Sequence, residues 1–187
     1  MEAFLVSLST VAVAEMGDRT QLLALVLAAK FRKPVPIIAA ILFATLASHA
    51  LAGFVGVSLA HYLTPRVLDI VVGISMLGMA AWTLIPDKLD KDAARTDSHG
   101  AFVATLVAFF VAEIGDKTQI ATAALAAGYS NLFAVVSGTT LGMLVANVPV
   151  VILGSRFAAK LPMAAIHMAA AVLFALLGAY FILRGAL

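Results

Sequence analysis

Cysteine is missing from all 187 residues, and charge is scarce: Asp, Glu, Lys and Arg make up 12% of the chain, where a soluble domain carries about 25%. The first absence excludes a disulfide framework, a thiolate metal site and a redox thiol, and argues against a zinc or copper(I) protein. The second excludes an aqueous domain of any size. Hydrophilic sequence is almost confined to residues 87–100, which mix both signs of charge without apolar periodicity and read as a solvated linker. A formal net charge of +2 carries no nucleic-acid signal.

What is present is apolar. Hydrophobic residues are 63% of the chain and mean hydropathy is +1.08, so lipid is the solvent for most of it. The length holds about six spans of ~20 residues with short loops. They read as residues 3–29, 35–59, 67–85, 101–127, 132–153 and 163–183. Lys30, Arg32, Lys33, Pro34 and Pro36 close the first and open the second; Tyr62 and Pro65 mark the far end of the second, and Trp82 and Pro86 the end of the third. Ala12-Val13-Ala14 resembles a signal-peptide cleavage pattern. No Lys or Arg precedes that run, however, and the same run recurs internally, so residues 3–29 read as a span.

That recurrence organises the chain. Glu15-Met16-Gly17-Asp18-Arg19-Thr20-Gln21 returns ninety-eight positions later as Glu113-Ile114-Gly115-Asp116-Lys117-Thr118-Gln119. The same offset pairs Leu46 with Leu144, His49 with Asn147, Gly56 with Gly154 and Leu63 with Leu161; in the third spans it slips by two, pairing Gly78 with Gly178. Each half therefore holds three spans, residues 1–86 and 101–187 around the linker 87–100. An odd number makes the second half enter the membrane in the opposite sense. The expected fold is an all-α membrane protein of six transmembrane helices in two inverted three-helix repeats. Lys30, Arg32, Lys33, Lys88, Lys91, Arg95, Arg156 and Lys160 fall on one side against Arg66 and Arg184 on the other. The positive-inside rule then puts loops 30–34, 87–100 and 156–162 in the cytoplasm and both termini outside it. Gly73, Gly78, Gly142 and Gly178 read as helix-packing positions, and Met76 to Met79 as core.

In a helix, Glu15, Asp18 and Gln21 share a face, as do Glu113, Asp116 and Gln119. Buried charge in a bilayer is costly enough that the two motifs should face one another across the repeat axis. Four carboxylates and the two bases Arg19 and Lys117 leave a deficit that one divalent cation or two protons would fill, which suits a cation–proton exchanger. All-oxygen donors favour Mn2+, Ca2+ or Mg2+ over softer ions, with Met16 able to offer a thioether to Mn2+. The candidate ligands are Glu15, Asp18, Glu113, Asp116, Gln21 and Gln119. Supporting or gating positions are Thr20 and Thr118 (ligands or backbone caps), Ser48, His49 and Asn147 in the second spans, Arg19 and Lys117 as charge partners, and Gly17 and Gly115, where the backbone can unwind. Thr45, Thr139 and Thr140 lie a turn or two away. A satisfied ion pair that merely locks helices is the bland alternative for one motif and a weaker one for two.

The motif Glu-x-Gly-Asp-[Lys/Arg]-[Thr/Ser], present twice without departure at Glu15 to Thr20 and at Glu113 to Thr118, closely resembles the family of MneA-type bacterial manganese exporters and Golgi manganese/calcium–proton exchangers. The resemblance covers essentially the whole chain. It implies export of Mn2+ or Ca2+ from the cytoplasm against H+, with the paired acidic motifs as ion site and no prosthetic group. The short length looks like the bacterial branch, hence a multi-pass protein of the bacterial inner membrane, whose homo-oligomerisation stays open. Competing classes are a passive cation channel, distinguished by the absence of uphill transport, and a membrane-embedded metalloenzyme, disfavoured because no nucleophile is paired with the carboxylates.

Overall fold

The computed structural model describes residues 1–85, 100–154 and 162–187. Among them the chain is all helical, with eight helices and no strand: α1 (Glu2–Glu15), α2 (Arg19–Phe31), α3 (Pro34–Ala60), α4 (Pro65–Thr83), α5 (Ala101–Glu113), α6 (Lys117–Tyr129), α7 (Leu132–Leu153) and α8 (Met163–Ala186). The expected linker 87–100 lies outside the described residues except for Gly100, the N-cap of α5. The expected loop 156–162 lies outside them except for Pro162, the N-cap of α8.

Four helices, α3, α4, α7 and residues 164–186 of α8, are long and apolar enough to cross a membrane. The expected spans 3–29 and 101–127 are each broken at the glycine where the sequence allows the backbone to unwind. Each is two helices, of 14 and 13 residues in the first half and 13 and 13 in the second, and ~20 Å of helix falls short of a ~30 Å hydrocarbon core. The breaks have a local cause. Gly17 and Gly115 take positive φ, 84° and 72°, a region open to glycine and costly to residues with a Cβ. Met16 and Ile114 before them are extended.

The molecule is inside out relative to a soluble protein. Phe43, Phe54, Phe133, Val55 and Leu176 are exposed, whereas Glu15, Asp18, Thr45, Ser48, Glu113, Asp116 and Asn147 are buried, as expected where lipid surrounds the chain and polar groups gather inward. Helix α1 runs along α7, α4 along α8, and α3 against α5, α6 and α7. Small residues permit the close approaches: a Cβ added at Gly142 would lie 2.6 Å from the Leu8 carbonyl, and one at Gly73 2.8 Å from that of Gly178. Gly78 departs from its expected packing role, with no atom within 4 Å of an added Cβ. The helical period explains this, since α4 turns Met76 and Met79 inward, as expected for core, and leaves Gly78 on the outer face.

An ion pair away from the repeated motifs ties three helices together. Arg184 of α8 is bidentate on Asp69 of α4, with Nε 2.8 Å from Oδ2, and donates to the Gly128 carbonyl at the end of α6 at 3.1 Å. Asp69 is the only acid of α4 and Arg184 the only Lys or Arg of α8, a complementarity visible in sequence that by itself does not say the two segments are neighbours.

Candidate cation site

The motifs form their site at two helix breaks. Asp18 and Asp116 are the N-caps of α2 and α6, where the positive end of the helix dipole favours an anion. Glu15 and Glu113 end α1 and α5, where the dipole opposes one. The two glutamates therefore need compensation from elsewhere. Because three residues around each break are non-helical, Glu15 and Asp18 do not share one helical face, and the expected i, i+3 arrangement is replaced by carboxylates pointing from two helix ends.

Both glutamines close the breaks. Gln21 Oε1 accepts the Gly17 N–H at 2.8 Å, and Gln119 Oε1 accepts the Gly115 N–H at 2.8 Å. Their amides reach across to the other half: Gln21 Nε2 donates to the Ala146 carbonyl at 2.9 Å, and Gln119 Nε2 to Ser48 Oγ at 3.0 Å. Ser48 and Ala146 are themselves ninety-eight positions apart. In this arrangement the glutamine oxygens are committed to backbone.

The carboxylates meet across the halves. Glu15, Asp18 and Asp116, all buried, each offer an oxygen such that the three atoms lie within 4.8 Å of one another. Glu113 stands outside that triple, its Oε1 accepting from Thr45 Oγ1 at 2.6 Å, yet near enough to Glu15 and Asp116 to add its charge to theirs. Thr20 donates to Glu15 Oε2, and Thr118 Oγ1 lies 3.3 Å from Asp116 Oδ2. The bases cross over: Arg19 Nη2 is 2.9 Å from Asp116 Oδ1 and Lys117 Nζ is 2.5 Å from Asp18 Oδ1. Glu15 Oε1 and Glu113 Oε2 are buried with no hydrogen-bond partner among the described residues. A buried carboxylate oxygen left so is expected to be held by a cation or a proton.

The second-span residues divide. Ser48 and Thr45 reach the motif directly. Asn147 Nδ2 is spent on the Met143 carbonyl and sulfur, both at 3.0 Å; Asn147 Oδ1 and both ring nitrogens of His49 are buried with no hydrogen-bond partner among the described residues. Thr45 is the residue whose importance sequence alone understates. Its counterpart at the repeat offset is Met143, so repeat matching gives it no weight, and only its polarity in an apolar helix marks it.

Comparison with known proteins adds the family. The family model described as "Divalent cation/proton antiporter GDT1" matches residues 3–91 and 101–187. A protein of Vibrio cholerae serotype O1 carrying the name "Putative manganese exporter" is 54% identical over 178 residues, covering 95% of this chain and 88% of that protein. No solved structure matches. With four membrane-length helices and a match across both halves, the chain is a multi-pass membrane protein of transporter rather than enzyme type, and it belongs to the GDT1 family of divalent cation/proton antiporters.

Proposed function

We propose that this protein exports Mn2+ from the bacterial cytoplasm across the inner membrane in exchange for H+. The observation that carries the reading is the gathering of Glu15, Asp18 and Asp116, from both motifs, within 4.8 Å in a buried setting. Three hard oxygen donors suit Mn2+ and Ca2+ alike, and the manganese name of the 54% identical relative favours Mn2+. Glu113, tethered to Thr45, completes the acidic set, and protons replace the metal on these carboxylates in the return direction. Ser48 and the two glutamines hold the helix breaks in place around the ion.

The architecture proposed with it is six crossings in two inverted three-helix repeats, 1–86 and 101–187, with α1–α2 and α5–α6 each making one broken crossing. Supporting this, the family-matched segments 3–91 and 101–187 each take in one half apart from the first two residues, the first running five residues into the linker, and the crossed pairs Arg19–Asp116 and Lys117–Asp18 exchange under the ninety-eight-residue offset. Broken helices with the ion at their ends are a transporter arrangement. The termini face the periplasm and loops 30–34, 87–100 and 156–162 the cytoplasm, on the strength of the Lys and Arg distribution.

Purified protein in liposomes tests this. An imposed proton gradient should drive Mn2+ uphill, with Ca2+ run in parallel, and Glu15→Gln should abolish the flux while the protein stays folded. A folded Glu15→Gln that still exports removes this carboxylate from the ion site. Downhill flux indifferent to the proton gradient would mark a channel.

A further inference from the structure

Each motif carries one base directly after its aspartate, and each base contacts the aspartate of the other motif: Arg19 reaches Asp116 and Lys117 reaches Asp18. Those aspartates are two of the three residues in the carboxylate cluster. Both bases thus place positive charge where a bound divalent cation would place it. They are not equivalent. The Arg19 side chain is 35% exposed, while that of Lys117 is 3% exposed. Lys117 is sealed among protein groups and acts as a fixed charge. Arg19 has an open side along which to withdraw, and its guanidinium, more weakly hydrated than an ammonium and carried on a long stem, exchanges partners at lower desolvation cost.

We propose that Arg19 is a tethered counter-cation: it occupies the carboxylate cluster through Asp116 when no metal is bound and leaves it when a divalent cation enters. The inference rests on the exchange reading above. Buried carboxylates stripped of all compensation are strongly disfavoured in a low-dielectric setting, so a carrier that must reorient without its metal needs another source of positive charge. Protons supply part of it, and Arg19 supplies the part already on the chain. When metal arrives, the same side chain competes with it for Asp116. Removing the guanidinium should therefore make Mn2+ bind more tightly and make the metal-free return slower.

Two transport modes separate these consequences. Exchange of Mn2+ against isotopic Mn2+ never passes through the metal-free carrier, whereas Mn2+/H+ exchange does so once per cycle. In proteoliposomes, Arg19→Gln should lower Mn2+/H+ exchange about fivefold relative to isotopic exchange, the scale of a partly exposed ion pair, and should lower the KM for Mn2+. Arg19→Lys should recover part of the Mn2+/H+ rate. A raised KM, or equal loss of both modes in a variant whose thermal melting matches the parent, overturns the proposal and leaves Arg19 as an ion ligand's support or a helix lock. A measurement on the unmodified protein guards against misfolding: Mn2+ should speed modification of Arg19 by an arginine-specific dicarbonyl reagent, read by mass spectrometry, and protection by Mn2+ overturns the idea. Failure of the exchange reading itself would show separately, as absence of Mn2+/H+ exchange by the parent protein.

Discussion

Residues 15–21 and 113–119 adopt one backbone and keep different company. The φ values of Gly17 and Gly115 are 84° and 72°; the caps that end α2 and α6, Arg32 and Ser130, lie at φ 52°, ψ 31° and φ 51°, ψ 25°. Side chains diverge from there. Glu15 is bonded by Thr20 of its own motif and joins the three-carboxylate cluster, whereas Glu113 is bonded by Thr45 of α3 and stays outside it. The residue that would do for Glu15 what Thr45 does for Glu113 is Met143, which has no hydroxyl to donate. The flanking contacts differ too. A Cβ at Gly56 would lie 2.0 Å from the Ala123 carbonyl, so α3 is tight on α6, while α2 and α7 flank an open groove of about 540 Å3 lined by Val26, Ala28, Val151 and Gly154. The repeated motif sets the backbone, and the unrepeated residues of α3 and α7 make the halves unequal. One consequence is that Glu15 belongs to the three-carboxylate cluster while Glu113 stands beside it on Thr45.

The largest test of that inequality is charge removal. Asp18→Asn weakens the pairing of fully buried Lys117 and should lower stability by about 3 kcal/mol, the range for breaking a buried pair. Asp116→Asn leaves Arg19 with a path to the surface, so about 1 kcal/mol is expected from a partly exposed pair. Thermal melting in detergent without added cation measures both, and equal losses would mean that the exposure difference between the two bases carries no energetic weight. A second contrast lies in the flanks. Ala126, fully buried against the tight α3 contact, and Ala28, lining the α2–α7 groove, occupy matching positions. Ala126→Val should cost about 2 kcal/mol by overpacking, and Ala28→Val should be close to neutral.

Much of this was legible before any coordinates, and the rest failed for physical reasons. Hydrophobic runs and Pro or basic punctuation located α3, α4, α7 and α8, because a bilayer imposes length and composition on any crossing. The pairing of the motifs followed from the cost of isolated buried charge. The helix breaks were legible in part. Gly17 and Gly115 point to them, but Asp18 and Gln21 three residues apart fit two descriptions, ligands on one helical face and a helix start whose glutamine reaches back to the backbone N–H before the N-cap, without the reciprocal aspartate bond of a capping box. Gln21 on the Gly17 N–H takes the second. Thr45 on Glu113 and Arg184 on Asp69 could not be ranked from sequence, since each depends on which helices become neighbours, and spacing within a helix carries no such information.

The smallest contrast between the two copies is expected in the backbone the motifs share. Gly17→Ala and Gly115→Ala each force a Cβ into the left-handed region, at about 1 kcal/mol. An added Cβ at Gly115 meets no atom within 4 Å, so the loss measured there is conformational strain alone. It becomes the reference for Gly17, which sits in the more covered of the two breaks; any excess at Gly17 measures crowding and not torsion. Asn, which visits this region more readily than Ala, should recover part of the loss at both positions. Equal costs would establish that the repeat is energetic as well as geometric. A negligible cost at Gly115 would mean instead that the Gln119 side chain, through its bond to the Gly115 N–H, holds the break on its own, and that the glycine is kept for movement of the chain during transport.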